Sequence, residues 1–464
     1  MTETSSVTRA VARYAVAPHR FPDLARQRAR DAIADCIGCT LAGSREPLAA
    51  PLLSVLPSLG EASPEAPSVL VGTGRFAAPA DAALVNGTLA HALDFDDTNH
   101  PAYAHPSAVL VPAMLALAPL VQATGSALVD AYIVGFELFG KLGRALNIQH
   151  YERGWHTTGS FGALAAAAAA GRLIGLDLHR MTMALGIAAS SASGLRASFG
   201  SMTKPLHAGQ AARNGVLAAL LARDGFTASE VALEHRYGYL DVFNAGIARD
   251  PAPLLALGEA LEILTEHGLA LKPYAACGAT HPGIEAAELL HGELGGRAIR
   301  AVRAGVCRMA FQPLIHLMPE SALEGKFSLH FCVAAALLWG PVTLATFSEE
   351  RVRDPALRAL IPRIRMELDE RWADDGEFAT EIAVETEDGA RLTRFVPLAQ
   401  GKPARWFTPD RLRAKFLDCA RRAAAPAAGE AAWTAASDLD SGRGARDLLR
   451  ALAAIRGDQA ALAA

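Results

Sequence analysis

PLHAGQAARNGVLAALLARDGF, residues 205–226, decides how the chain folds. Pro205 stands where a helix can open, because the first helical N–H has no acceptor within the helix anyway. Gly225 offers a stop. Between them Gly209, Ala212 and Gly215 recur at i, i+3 spacing, so one face of the predicted helix is nearly bare. Another helix can pack close against such a face.

The same texture runs outward. Helical spacing and Gly- or Pro-marked breaks predict helices over Asp23–Ala42, Ala80–Leu93, Ser107–Gln122, Ala127–Leu142, Thr158–Ile174 and Asp177–Ser191. After about residue 265 the period changes. PRIRMELDE (Pro362–Glu370) alternates apolar and charged residues, as a half-buried strand does. AVRAGVCRMA (Ala301–Ala310) reads as another strand. EIAVETEDGARLTRFVPL (Glu381–Leu398) reads as a hairpin turning at Asp388-Gly389. Phe327–Trp339 is helical, and so is the chain from Thr408 onward, while Arg421–Ala436 reads as a loose surface segment of low complexity. The fold expected is mainly α. A large all-α helical domain is built from both chain ends, 1–265 and 405–464, with a smaller α+β domain, 266–404, inserted.

The chain has 464 residues, of which 51% are hydrophobic and 20% charged, and its net charge is −4. Those figures allow a large core. They give no basic patch of the kind that binds nucleic acid. No cationic start precedes an apolar core at the N-terminus, and no apolar run is long enough to span a bilayer, so a cytoplasmic protein without a membrane partner is expected. Six scattered cysteines do not form a disulfide framework. Cys36 and Cys39 form a CxxC within one predicted helix, and small core residues are the reading adopted.

Five polar islands interrupt the apolar pattern. HALDFDDTNHPAYAHPS, residues 91–107, holds three histidines and three aspartates. Taken alone, it is open to reading as a metal site, an acid–base site or a wet helix end. Asp94 and Asp97 would share one helical face, Ser107 is a fair N-cap, and Asp96, Asp97 and His91 have ordinary structural readings. In YERGWHTTGS, His156 precedes a helix start, where free backbone N–H groups favour anions. In SFGSMTKPLHAG, Lys204 is an isolated cation immediately before the Pro205 helix, and His207 follows it. LALKPYAACGATHPG gathers Lys272, Tyr274, Cys277 and His281, and EGKFSLHF holds Lys326 and His330. Lysines and histidines hold carboxylates, and a His/Asp pair moves protons, so a small anionic carboxylate is the substrate class this set suits. HExxH and zinc-spaced cysteines are absent, and a His100/His105/Asp94 ligand set would leave the lysines without a role, so no metal is expected. Nothing in the sequence supports a nucleotide cofactor, and none is expected.

HALDFDDT, HPS, GWH, MTKPLHAGQAARNG and LKPYAACGATHPGIEAA stand in one order, and in that order the chain resembles the MmgE/PrpD family over roughly residues 5–420. That family includes 2-methylcitrate dehydratases, cis-aconitate decarboxylases and an iminodisuccinate epimerase. The resemblance implies a helical domain from both chain ends, a smaller α+β lid, a homodimer and a site that needs no cofactor. Carried over by motif, the site residues are Asp94, His105, His156, Lys204 and Lys272, with His207, Tyr274, Cys277 and His281 as substrate contacts. Decarboxylase members resemble LKRFPAH in the lid, with a histidine where this chain has Cys277, and carry a tyrosine at the position of Phe331. Those two departures lead to the expectation of a dehydratase acting on a small di- or tricarboxylic hydroxy acid. An epimerase of a dicarboxylate is the alternative, ahead of a decarboxylase or a metabolite-binding dimer. Within this reading Lys204, Lys272 and His156 hold carboxylates, His105 moves the proton and Asp94 orients His105.

Overall fold

The computed structural model describes residues 6–56, 63, 67–246, 250–441 and 444–456. Its contacts divide the chain into two units, Met1–Leu271 with Thr408–Ala464, and Lys272–Phe407. The first unit is helical apart from two short antiparallel ribbons, and the second combines helices with a four-stranded sheet, so the expected fold class is the observed one.

In the helical unit the main helices are α1 (Val7–Val16), α2 (Asp23–Gly43), α3 (Pro79–Ala90), α4 (Ser107–Val121), α5 (Gly125–Leu146), α6 (Thr157–Leu173), α7 (Leu178–Ser191) and α8 (Thr203–Arg223). Every residue of α6 from Thr157 to Gly171 is buried. Its alanine run makes that feasible, since small side chains let neighbouring helices close in on all sides. α8 starts two residues before Pro205, so Lys204 lies in its first turn rather than ahead of it.

The bare face of α8 does what its spacing implies. Gly209 lies against α3, where an added Cβ would come within 2.1 Å of the Leu84 carbonyl oxygen and 2.2 Å of Thr88 Oγ1. Gly87 of α3 answers it, since a Cβ there would come within 2.8 Å of Gly209 Cα. Gly215 meets α6 at Ala166 in the same manner.

Cys36 and Cys39 of α2 are buried free thiols, as expected. In the inserted unit, α9 (His281–Leu294) and α10 (Leu329–Trp339) accompany strands β1 (Ile299–Val306), β2 (Ile364–Leu368), β3 (Thr380–Thr386) and β4 (Arg391–Val396). The sheet order is β2-β1-β3-β4, with β1 parallel to β2 and the other pairs antiparallel. Burial along β3 alternates strictly, and Ile382 and Val384 join Ile284, Leu290, Val302 and Phe331 in one apolar cluster. The β3–β4 turn falls at Gly389, whose φ of +86° suits glycine.

The chain then returns to the helical unit through α11 (Pro409–Ala420), α12 (Pro426–Ser437) and α13 (Gly444–Ala453). The segment expected to be loose is therefore mostly helix. Pro426 sits in the first turn of α12, where proline is tolerated, and the Trp433 ring lies 5.4 Å from that of Phe416 on α11. Among the described residues no helix is long and apolar enough to cross a membrane.

Gly209→Ala should separate α3 from α8 and cost about 1–3 kcal/mol, the usual range for forcing a methyl into a filled interior. A urea unfolding midpoint would register it, and an unchanged midpoint would contradict the close approach described here.

Candidate active site

The antiparallel seam of α3 and α8 places the end of one helix beside the start of the other. α3 stops at Ala90, with His91 as its C-cap, and the chain turns through residues 92–97. Asp94 and Asp97 therefore do not share a helical face. Asp94 has φ +53°, a left-handed conformation that aspartate adopts more readily than most residues. That turn aims its carboxylate at Lys204, and the Nζ–Oδ1 distance is 2.7 Å. Both side chains keep about a fifth of their surface exposed.

Asp96 is no solvated helix end. It is fully enclosed and lies between two imidazoles. His91 Nδ1 is 3.0 Å from both Asp96 oxygens, and His105 Nδ1 is 3.3 Å from Asp96 Oδ2, within ion-pair range but not hydrogen-bonded. Burial alone would raise the Asp96 pKa, but His91 and His105 hold it far below the ordinary carboxylate range. Burial takes His91 down to about 4, against the pull of Asp96. An ionised carboxylate only accepts hydrogen bonds, so neutral His91 must donate through Nδ1. The same logic aims Nδ1–H of His105 at Asp96 and leaves Nε2 turned toward Asp94, 3.6 Å from Oδ1. His105 thus has a carboxylate near each ring nitrogen, Asp96 at Nδ1 and Asp94 at Nε2. Asp94 serves Lys204.

His156 is the N-cap residue of α6, as its sequence position implied. Its carbonyl accepts the N–H groups of Gly159 and Ser160, and its Nδ1 lies 3.0 Å from Nδ1 of His207. Burial first, and then His91, Lys204 and His105, push its pKa well below the usual histidine value. Burial also lowers that of His207. Two neutral imidazoles in Nδ1–Nδ1 contact hold one proton between them there, so one ring donates to the other and only the accepting ring keeps an Nε2–H to offer. The His91 ring lies tilted 4.4 Å from that of His105 and stacks 5.9 Å from that of His156. Phe199 meets His156 edge-on at 5.0 Å and lies 5.5 Å from the Lys204 ammonium.

Asp97 fills the place foreseen for Ser107. Ser107 is not an N-cap but the first residue of α4, and its N–H donates to Asp97 Oδ1 at 3.0 Å. Burial and the Asp96 charge push the Asp97 pKa up to about 8.

Asp94, His105, His156, Lys204 and His207 thus come together in the helical unit. Lys272, Tyr274, Cys277 and His281 belong to the inserted unit. There the Tyr274 hydroxyl donates to Glu288 at 2.7 Å, His281 Nε2 donates to the Ala276 carbonyl at 3.0 Å, and the Cys277 N–H donates to the Lys326 carbonyl at 2.9 Å. Lys272 is buried. Among the described residues His91, Asp96 and His105 bring three metal-capable atoms within 4.8 Å of one another. Those atoms already face one another as donors and acceptor.

Residues 9–250 match the MmgE/PrpD N-terminal domain and residues 274–441 the MmgE/PrpD C-terminal domain. The chain belongs to the MmgE/PrpD family. A relative from Aspergillus terreus is 30% identical over 430 residues, 86% of each chain. One from Mus musculus is 31% identical over 351 residues, 73% of this chain and 71% of its own. One from Homo sapiens is 32% identical over 326 residues, 68% and 67%. Each is named cis-aconitate decarboxylase. That agreement overturns the dehydratase expectation, and with it the assignment as a carbon–oxygen lyase. The departures behind that expectation weigh less than they seemed to. Phe331 is wholly enclosed in the core of the inserted unit, 5.9 Å from the Phe347 ring, where a lost hydroxyl is a change in packing.

The Asp97 carboxyl titrates near 3.9 when unfolded and about 8 when folded. The folded state therefore binds the extra proton between those values, and stability falls as pH rises through that window. Asp97→Asn should flatten the fall between pH 5 and pH 8 and be at least as stable at pH 8. Urea midpoints across that range would check it, and parallel curves for the two proteins would contradict it.

Proposed function

We propose that this chain is a decarboxylase of a small unsaturated polycarboxylate of the cis-aconitate type. The observation that carries the reading is the Aspergillus terreus relative, aligned over 86% of both chains and named for that activity. The chemistry available at the site supports it.

In cis-aconitate one carboxylate sits on a CH₂ group beside the double bond. When the bond to that carboxylate breaks, CO₂ leaves and the electron pair stays on carbon. Resonance spreads the pair across three carbons toward a second carboxylate. One proton then quenches it, so the trianion plus H⁺ gives a dianion plus CO₂. Such a reaction needs cations and N–H donors where charge spreads, and one proton carrier aimed at the allylic carbon.

Lys204 supplies the cation in the helical unit. A substrate carboxylate would share its ammonium with Asp94. The neutral His156–His207 pair adds one N–H donor, at Nε2 of the ring that accepts in their Nδ1–Nδ1 contact, without adding charge. His105, backed by Asp96 at Nδ1, carries the proton at Nε2. In this proposal Lys272 of the inserted unit holds a further carboxylate, and Tyr274, Cys277 and His281 line the substrate's surroundings, as the family motifs imply.

The test is to incubate the protein with cis-aconitate in D₂O, follow CO₂ release and record proton NMR spectra. The expected product is a 2-methylidene dicarboxylate carrying one deuterium at the carbon distal to the departed CO₂. His105→Gln and Lys204→Met should each lower turnover by about 10²–10⁴-fold, the range for losing a proton carrier or a charge-stabilising group. Turnover without CO₂, or near-normal turnover in either variant, would contradict the proposal.

A further inference from the structure

α11 carries a side chain that reaches the turn of the candidate site, Lys415. Lys415 is buried, with an ammonium 2.7 Å from Asp35 Oδ1 on α2. An enclosed cation needs a partner of this kind, because desolvation is costly. The ion pair does not account for the rest of its contacts. The same ammonium donates to the Phe95 carbonyl at 2.8 Å and stands 3.9 Å from the centroid of the Phe95 ring.

Phe95 separates Asp94 from Asp96. Its two neighbours leave the chain in different directions, one toward Lys204 and the other toward His91 and His105. The turn lies beyond the last residue of α3, and Asp94 adopts a left-handed conformation within it. Such conformations persist only where the surroundings hold them. A charge-assisted bond to the intervening carbonyl, with the ring clasped on its face, is a hold of that kind.

We propose that Lys415 is a positioning residue for the site: by fixing the Phe95 carbonyl it sets the aim of Asp94 at Lys204 and of Asp96 at His105. The kinetic consequence rests on the proposed decarboxylation, and the geometric consequence does not.

Three variants separate positioning from bulk stability. Asp35→Asn removes the ion pair and leaves the Lys415 donor in place. That substitution leaves an enclosed cation without its counter-charge, so the unfolding midpoint of the variant is measured before its kcat is read. Lys415→Met removes the donor but strands Asp35. Asp35→Asn with Lys415→Met removes both charges together and keeps the interior neutral. Each folded variant is assayed with cis-aconitate and its crystal structure is determined. Asp35→Asn should keep kcat within about 3-fold of the parent. The double variant should lose ~10–100-fold in kcat with little change in KM, the scale on which about 1 Å of misplacement acts. Its Asp94–Lys204 contact should open past hydrogen-bond distance.

A double variant that retains both the kcat of Asp35→Asn and the 2.7 Å Asp94–Lys204 contact overturns the proposal. If the parent itself releases no CO₂, the proposed function fails, and the Asp94–Lys204 separation in the double variant still decides the role of Lys415.

Discussion

Two helices that meet without side chains between them govern the arrangement. Gly87 on α3 and Gly209 on α8 sit so close to the facing helix that a methyl on either would strike that helix's backbone. The helices run antiparallel, so seven residues beyond Gly87 the chain reaches Asp94, and five residues before Gly209 it reaches Lys204. The 2.7 Å contact between those two charges is a consequence of that register. His207 lies on the same stretch of α8 and meets His156 at the start of α6. An alanine-rich interior is what permits such proximity. Larger side chains would hold the axes apart and pull the polar groups out of range of one another.

Within that frame, burial gives the polar cluster its chemistry. Enclosed imidazoles lose their charge, and so His91 and His156 act as neutral donors. Asp96 keeps its charge because two rings face it. Asp97, one residue further, has a backbone N–H and a nearby negative charge for company and holds its proton. Adjacent carboxyl groups with opposite protonation are the usual outcome where environments differ this sharply.

Much of this was legible in the sequence. The glycine and alanine spacing of α8 announced a close contact, the alternation in β2 announced a half-buried strand, and the position of His156 announced a helix start. The motifs named the family. What sequence spacing did not show was the direction of the chain after Ala90. Helical spacing placed Asp94 with Asp97, but α3 ends at Ala90, and the turn sends Asp94, Asp96 and Asp97 to three different partners. Asp96 was therefore read as structural when it stands behind His105, and Ser107 was read as a cap when Asp97 does that work. Lys415 could not be found by local reasoning, because its partners lie some 320 and 380 residues away in the chain. The choice of reaction was misread for a related reason. It leaned on two single positions, Cys277 and Phe331, of which Phe331 is a packing residue in the core of its own unit.

The central claim is that an ionised Asp96 lies between His91 and His105, with His91 neutral and its proton on Nδ1. Nitrogen-15 NMR of the imidazoles from pH 5 to pH 8 tests it most directly. His91 should stay neutral throughout, with the signature of an Nδ1–H tautomer, and replacing Asp96 with asparagine should disturb both rings. A His91 that takes up a second proton near pH 6.5, or that carries its proton on Nε2, would contradict it.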